Sequence, residues 1–173
     1  MARGSIAMPP RPATTARRSG PGLWLALALG ILALDQLTKL AIVNTLALHE
    51  SVWICPHFNL VYVLNQGAAF SFLSDAGGWQ RWFFSALSIA VIGVLGALVY
   101  RAHRQVLFCW AASLVIGGAA GNLIDRLTVG AVIDFIDWHA AGWHWPAFNV
   151  ADAAISAGAT LFVIDELRRV RRG

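Results

Sequence analysis

Apolar residues along this chain gather into four long runs separated by polar, tryptophan-rich connections. The runs extend from about Leu23 to Leu48, Trp82 to Tyr100, Val106 to Ile124 and Val150 to Leu167. Each reaches or approaches the roughly 20 residues that cross a ~30 Å hydrocarbon core, which predicts four transmembrane helices. In the first long connection, Phe58-Asn59-Leu60-Val61-Tyr62-Val63-Leu64 is rich in β-branched and aromatic residues, and Asn65-Gln66-Gly67 ends it as a turn. A second candidate strand runs from Val129 to Ile136. The pattern thus predicts an α-helical membrane protein with a small β-sheet lying on the membrane surface, and it leaves the strand pairing open. Residues 1–20 have no apolar periodicity and read as a disordered tail. Residues 21–168 form the membrane domain, with outer segments at about 49–80 and 126–148, and 169–173 form a basic tail.

Composition agrees with a membrane as the solvent. A chain of 173 residues that is 58% hydrophobic has too little interior, as a soluble domain, to hide that much apolar side chain. Its mean hydropathy is +0.63. The net charge of +4 is not a nucleic-acid signature, because the basic residues sit in short blocks beside the apolar runs and form no basic face. Those blocks instead set orientation. Arg3, Arg11, Arg17 and Arg18, then Arg101 and Arg104, then Arg168, Arg169, Arg171 and Arg172 mark one side, leaving only Lys39, Arg81 and Arg126 elsewhere. By the positive-inside rule both termini are cytoplasmic and the two long connections face outward. Trp53, Trp79, Trp82, Trp138, Trp143 and Trp145 fall at the outer boundary and Trp24 and Trp110 at the inner one, as interfacial anchors should. Arg17-Arg18 before Leu23–Leu34 resembles the start of a signal peptide, but the apolar run continues past Asp35 and Lys39 without a clear cleavage site, so it reads as a retained helix. Cys55 and Cys109 are expected most of a bilayer apart and unable to pair.

Acidic residues are costly near hydrocarbon and are usually paired or functional there. Asp165 and Glu166 have the Arg168–Arg172 cluster beside them, and Glu50, Asp75 and Asp137 lie in outer loops without need of a special role. Asp35, Asp125, Asp134 and Asp152 remain. Asp35 and Lys39 are spaced i, i+4 on one helix face, as an ion pair or a substrate contact. Asn122 and Asp125 close the third helix, and Asn149 and Asp152 open the fourth, each pair three residues apart and both at one depth. Asp134 interrupts the apolar run Ala131–Ile136 between them.

Such carboxylates can bind a metal, conduct protons, or act as an acid–base pair on water. His139 and His144 are close, but there is no H-E-x-x-H pattern, and no acidic group lies in the inner half of the second or third helix to continue a proton path. An aspartyl pair at the water boundary fits best, and it needs neither metal nor cofactor. Asp125, at a helix C-terminus with Arg126 after it, reads as a paired, orienting carboxylate. Asp134 among Val, Ile and Phe reads as the neutral acid, and Asp152 in a helix's first turn as the ionised base, although coupled carboxyls can exchange these roles. Gly117-Gly118-Ala119-Ala120-Gly121 reads as a face for close helix packing.

The blocks Asp35-Gln-Leu-Thr-Lys39, Asn65-Gln-Gly-Ala-Ala-Phe-Ser71, Gly117–Arg126, Val132-Ile-Asp-Phe135 and Phe148-Asn-Val-Ala-Asp152 resemble, in order and spacing, the lipoprotein signal peptidases, or signal peptidase II, of bacterial cytoplasmic membranes. The resemblance covers about residues 22–167. It implies four helices with an outer β-cradle and a short surface helix. It also implies cleavage of prolipoprotein signal peptides just before a diacylglyceryl-modified cysteine, and inhibition by globomycin-type compounds. The family dyad falls on Asp134 and Asp152. Asp35, Lys39, Asn65, Gly67, Asn122, Asp125, Arg126 and Asn149 fall on positions that support the dyad or substrate. Ala153 departs from the pattern, where relatives often carry Ser. Contacts with membrane lipids and a monomeric state are expected, and Ala76-Gly77-Gly78 supplies the flexibility a lid would need. A presenilin-like protease would carry G-x-G-D, which is absent. A transporter or lipid-binding scaffold would tolerate Asn at Asp134 and Asp152.

Overall fold

The computed structural model describes residues 20–67 and 78–172. The first nineteen residues of the expected tail, residues 68–71 of the second family block and Ala76-Gly77 of the candidate lid lie outside them. Four helices are present: α1 (Pro21–Thr45), α2 (Trp79–Ala102), α3 (Val106–Thr128) and α4 (Val150–Val170). The strands are β1 (Ser51–Cys55), β2 (Phe58–Asn65), β3 (Val132–Ala140) and β4 (Trp143–His144), paired in that order and antiparallel throughout. Helices α1, α2 and α3 are each long and apolar enough to cross a membrane. The expected short surface helix has no counterpart among the described residues.

Side chains are distributed as a lipid solvent dictates. Leu25, Leu37, Leu40, Ile89 and Val94 point outward, while Asp35, Lys39, Ser85, Ser113 and Asn122 are buried. Hydrocarbon gives leucine no reason to leave the surface, so helices associate through small residues and polar pairs. The packing of α3 follows this rule. A Cβ on Gly117 would stand 2.6 Å from the Ala28 carbonyl oxygen of α1, and one on Gly118 would stand 2.5 Å from that of Ala151 on α4. Gly158 of α4 approaches the Ala111 carbonyl in the same way, at 2.7 Å. α3 is thereby clasped between α1 and α4.

The sheet departs from expectation at both ends of β3. Val129 does not join it. Its amide and that of Gly130 both donate to the Asp125 carbonyl, at 2.8 and 3.1 Å, so helix closure claims the residue against its β propensity. At the far end β3 runs on to Ala140 and turns through Ala141 and Gly142, both with positive φ (50° and 82°), the two-residue hairpin whose twist matches its strands. β2 carries a bulge between Leu60 and Val63, which sets Val63 opposite Asp134 and Asn65 opposite Val132. Two tryptophan and aspartate readings change as well. Trp24, read as an interfacial anchor, is buried, and its indole N–H donates to the His103 carbonyl at 3.0 Å. Asp137 is no loop residue: it sits in β3, accepts from Asn59 at 2.8 Å and lies 2.7 Å from His144. Burial would raise its pKa, but these partners outweigh burial and lower it.

The α3–α4 contact predicts a contrast between two glycines. Gly118→Val should destabilise the protein by about 1–3 kcal/mol through forced separation of the helices. Gly93→Ala, where an added Cβ meets nothing within 4 Å, should be neutral or add up to about 1 kcal/mol. Thermal unfolding in detergent micelles would measure both, and an equal response would refute the close-packing account.

Candidate active site

Lys39 begins the site. It lies one helical turn beyond Asp35 on α1, and both side chains are withdrawn from solvent, at 2% and 0% exposure. An ammonium has three hydrogens, and this one has three acceptors: Asp35 Oδ2 at 2.8 Å, Asp125 Oδ2 at 2.7 Å and Asn122 Oδ1 at 3.0 Å. The remaining lone pairs of the two carboxylates are also used. Asp35 Oδ1 accepts the Ala151 amide at 2.8 Å, one of the donors left free at the start of α4. Asp125 Oδ2 accepts the Ile133 amide of β3 at 3.2 Å. Gln36 donates to Asp35 Oδ2 and Asp125 Oδ1, at 3.2 and 3.0 Å. Only glycine at 121 leaves room for the Asp35 carboxylate, since a Cβ there would overlap it. Asp125 is thus paired as expected, but its cation is Lys39 rather than the adjacent Arg126.

From this triad the network passes to Asp134 and Asp152. Asn122 Nδ2 donates to Asp152 Oδ1 at 2.8 Å. Asn149 caps α4 in a capping box: its Oδ1 accepts the Asp152 amide at 2.9 Å, and Asp152 Oδ2 accepts the Asn149 amide at 3.3 Å. The Nδ2 of the same asparagine donates to Asp134 Oδ1 at 2.7 Å and to the Ile133 carbonyl at 3.1 Å. Phe148, just before it, is held to Ile136 by backbone hydrogen bonds, which brings α4's first turn onto β3. From the other side Asn65 Nδ2 donates to Asp134 Oδ2 at 2.9 Å, while its own Oδ1 accepts the Gly67 amide at 2.9 Å. Gly67 has φ +105° and its α-carbon lies against the Phe84 ring, where a Cβ would come within 2.6 Å. Arg126 covers the same ring at 5.3 Å and donates to the Asn122 carbonyl at 3.4 Å.

Asp134 is 1% exposed. Burial first, then the nearby Asp152 carboxylate, push its pKa up to about 7, against the lowering effect of Asn65, Asn149 and Lys39. Asp152 itself opens onto a groove of about 390 Å³ walled by Asn65, Trp145, Pro146, Phe148, Ala153 and Ser156. A largely apolar groove with one carboxylate in its wall and a second, readily protonated carboxyl behind it suits an extended apolar segment whose backbone must meet water.

All ten residues singled out from sequence therefore belong to one connected group. Gln36 and Phe84 were missed. Gln36 offered a signal, a further polar side chain within the Asp35–Lys39 turn, whereas Phe84 looks like any apolar residue of α2. Among the described residues no group of three or more His, Cys, Asp and Glu side chains is arranged to hold a metal ion.

Replacing Lys39 with Met should strip Asp35 and Asp125 of their common cation and cost about 3–5 kcal/mol, the usual penalty for orphaning a buried charge. Adding Asp35→Asn and Asp125→Asn to it should restore part of that loss. Denaturant unfolding of the single and triple variants would measure both, and a single variant within 1 kcal/mol of wild type would contradict the account.

The family model described as signal peptidase (SPase) II matches residues 27–168. The chain is 54% identical over 166 residues to a lipoprotein signal peptidase of Cupriavidus necator, covering 96% of this chain and 95% of that one. It is 57% identical over 153 residues to a lipoprotein signal peptidase of Ralstonia nicotianae, covering 88% of each. A solved structure described as a bacterial membrane enzyme, determined by the in meso method at 2.3 Å resolution, superposes with a TM-score of 0.76 at 32% identity, covering 86% of this chain and 90% of its own. With its apolar helices and this extent of similarity, the chain is a multi-pass membrane peptidase that belongs to the signal peptidase II family.

Proposed function

We propose that this protein removes signal peptides from bacterial prolipoproteins by hydrolysing the peptide bond just before a diacylglyceryl-modified cysteine, with Asp134 and Asp152 as an acid–base pair. The observation that carries the pairing is the double role of Asn149, whose amide nitrogen holds Asp134 at 2.7 Å while its oxygen caps the turn that presents Asp152. Two cations, Lys39 and Arg126, face four carboxylates in the group, so one retained proton relieves the charge imbalance, and Asp134 is where burial favours it.

In the proposed reaction Asp152 accepts a proton from water as its oxygen attacks the scissile carbonyl carbon. Asp134 gives its proton to the carbonyl oxygen. The resulting gem-diol collapses as the C–N bond breaks: the nitrogen takes the proton held by Asp152, and a hydroxyl proton returns to Asp134. Neither carboxylate forms a covalent bond, and each ends as it began. Asp35, Lys39, Asn122, Asp125 and Asn149 hold the pair in place. Asn65, Gly67 and Arg126 line the approach.

The membrane arrangement belongs to the same proposal. α4 serves as the fourth span, with Asp165, Glu166, Arg168 and Arg169 in its last turns at the inner headgroups. Both termini then face the cytoplasm of a bacterial inner membrane, with the aspartates and the sheet near the outer face. Residues 21–168 act as one membrane domain between an N-terminal tail and a short basic C-terminus. Globomycin-type inhibitors would occupy the groove beside Asp152, and the protein works as a monomer.

Cleavage of a diacylglyceryl-modified prolipoprotein by purified enzyme tests this reading. Asp134→Asn and Asp152→Asn should each lose about 10²–10⁴-fold or more in kcat with unchanged folding, and wild type should keep its activity in chelator. Undiminished turnover in either variant would overturn the pair. The pH dependence has a definite sign. Asp134 must be protonated to act as the acid, so kcat/KM should fall about tenfold per unit as pH rises above about 7. Because its folded-state pKa is raised from 3.8, its contribution to stability is complete below about 4 and is lost as pH climbs to about 7. Unfolding of wild type and Asp134→Asn across that interval should differ in slope.

A further inference from the structure

A second cavity lies at the opposite end of the helices from the aspartates, between α1, α2 and α3. It encloses about 370 Å³, and its wall includes Pro21, Trp24, Ala28, Gly96, Tyr100 and Ser113. Nearly all of that wall is apolar. Dry apolar cavities less than half this size take up apolar guests, and this one opens between three apolar helices. One wall residue is out of keeping. Ser113 is only 1% exposed, and its buried Oγ has no hydrogen-bond partner among the described residues. A buried hydroxyl left without a partner is unfavourable, so an occupant that brings an oxygen to it is preferred.

Charge at the mouth completes the description. Arg101 lies in the last turn of α2 directly after Tyr100, and Arg104 follows in the connection to α3. Both are exposed, and neither has an ion-pair partner among the described residues. Trp24, part of the cavity wall, is fastened to this turn by its hydrogen bond to the His103 carbonyl. The wall also includes Pro21 at the start of α1, whose N-cap Gly20 makes no side-chain cap hydrogen bond among the described residues.

We propose that this cavity binds one anionic phospholipid, with an acyl chain between α1, α2 and α3, an ester carbonyl at Ser113 and the phosphate between Arg101, Arg104 and the start of α1. In the orientation proposed above the cavity opens to the cytoplasmic leaflet; the binding itself depends neither on that orientation nor on the peptidase reading. The site is remote from the aspartates, so its role is to fix the enzyme's depth and to knit α1 to the α2–α3 turn.

Native mass spectrometry of the full chain in micelles, titrated with dioleoyl phosphatidylglycerol or dioleoyl phosphatidylcholine, tests the proposal. Wild type should retain phosphatidylglycerol preferentially. At roughly fivefold per arginine, Arg101→Gln with Arg104→Gln should weaken it about thirtyfold and erase the preference. Gly96→Phe, at a position where an added Cβ meets nothing within 4 Å, should plug the cavity and release both lipids; Gly96→Leu is the milder plug should the first fail to fold. Ser113→Ala should weaken both lipids several-fold while leaving the preference intact. Equal retention of the two lipids by wild type, a preference that survives loss of both arginines, or tight phosphatidylglycerol binding by a folded, plugged variant would each overturn it.

Discussion

A charged ammonium in the middle of a membrane protein has to find an acceptor for every hydrogen, because neither lipid nor a dry interior supplies any. Lys39 meets that requirement with oxygens from Asp35 on its own helix and from Asp125 and Asn122 on α3. Each of those carboxylates then accepts a further donor from another element: Asp35 the Ala151 amide of α4, Asp125 the Ile133 amide of β3. One cation consequently sets the positions of three helices and the strand that carries Asp134. A buried pair of this kind adds little net stability over an apolar replacement, but losing one partner is severe, and its value here is in fixing geometry.

Outside the triad the same economy recurs with neutral amides. Asn122 and Asn149 each carry a donor and an acceptor on a short, stiff side chain, so each can face two carboxylate neighbourhoods at once. Asn149 closes the first turn of α4 and holds a strand residue, which makes the relative placement of Asp152 and Asp134 a consequence of helix capping. The carboxyl at 134 is then shielded on both edges by amide donors, and its raised pKa follows from burial beside a second carboxylate.

Small residues make this closeness attainable. Gly117, Gly118 and Gly158 let backbones meet at distances where a methyl would collide, and Gly121 leaves space for Asp35 itself. The glycines of α3 therefore serve packing and site together. At the end of the helices away from the aspartates, a cavity remains between α1, α2 and α3.

The helices and the conspicuous aspartates were legible in the sequence because each depends on local quantities: run length, and polar residues where apolar ones are expected. β2 was legible for the same reason. β1 was not, since Ser51–Cys55 becomes a strand only by pairing with β2, and the ends of β3 were decided by competition with helix closure and by a left-handed turn at Ala141-Gly142. Asp137 looked like a loop carboxylate until pairing set it opposite Asn59. The family blocks contain the ten residues singled out from sequence, yet partnership could not be read from them: adjacency suggested Arg126 for Asp125, whereas the cation comes from Lys39, 86 positions earlier (125 − 39). Sequence by itself determined which residues the membrane would tolerate only if they were paired. Which pairs formed was settled by the tertiary structure alone, because a hydrogen bond depends on where atoms meet in space and not on how far apart they lie along the chain.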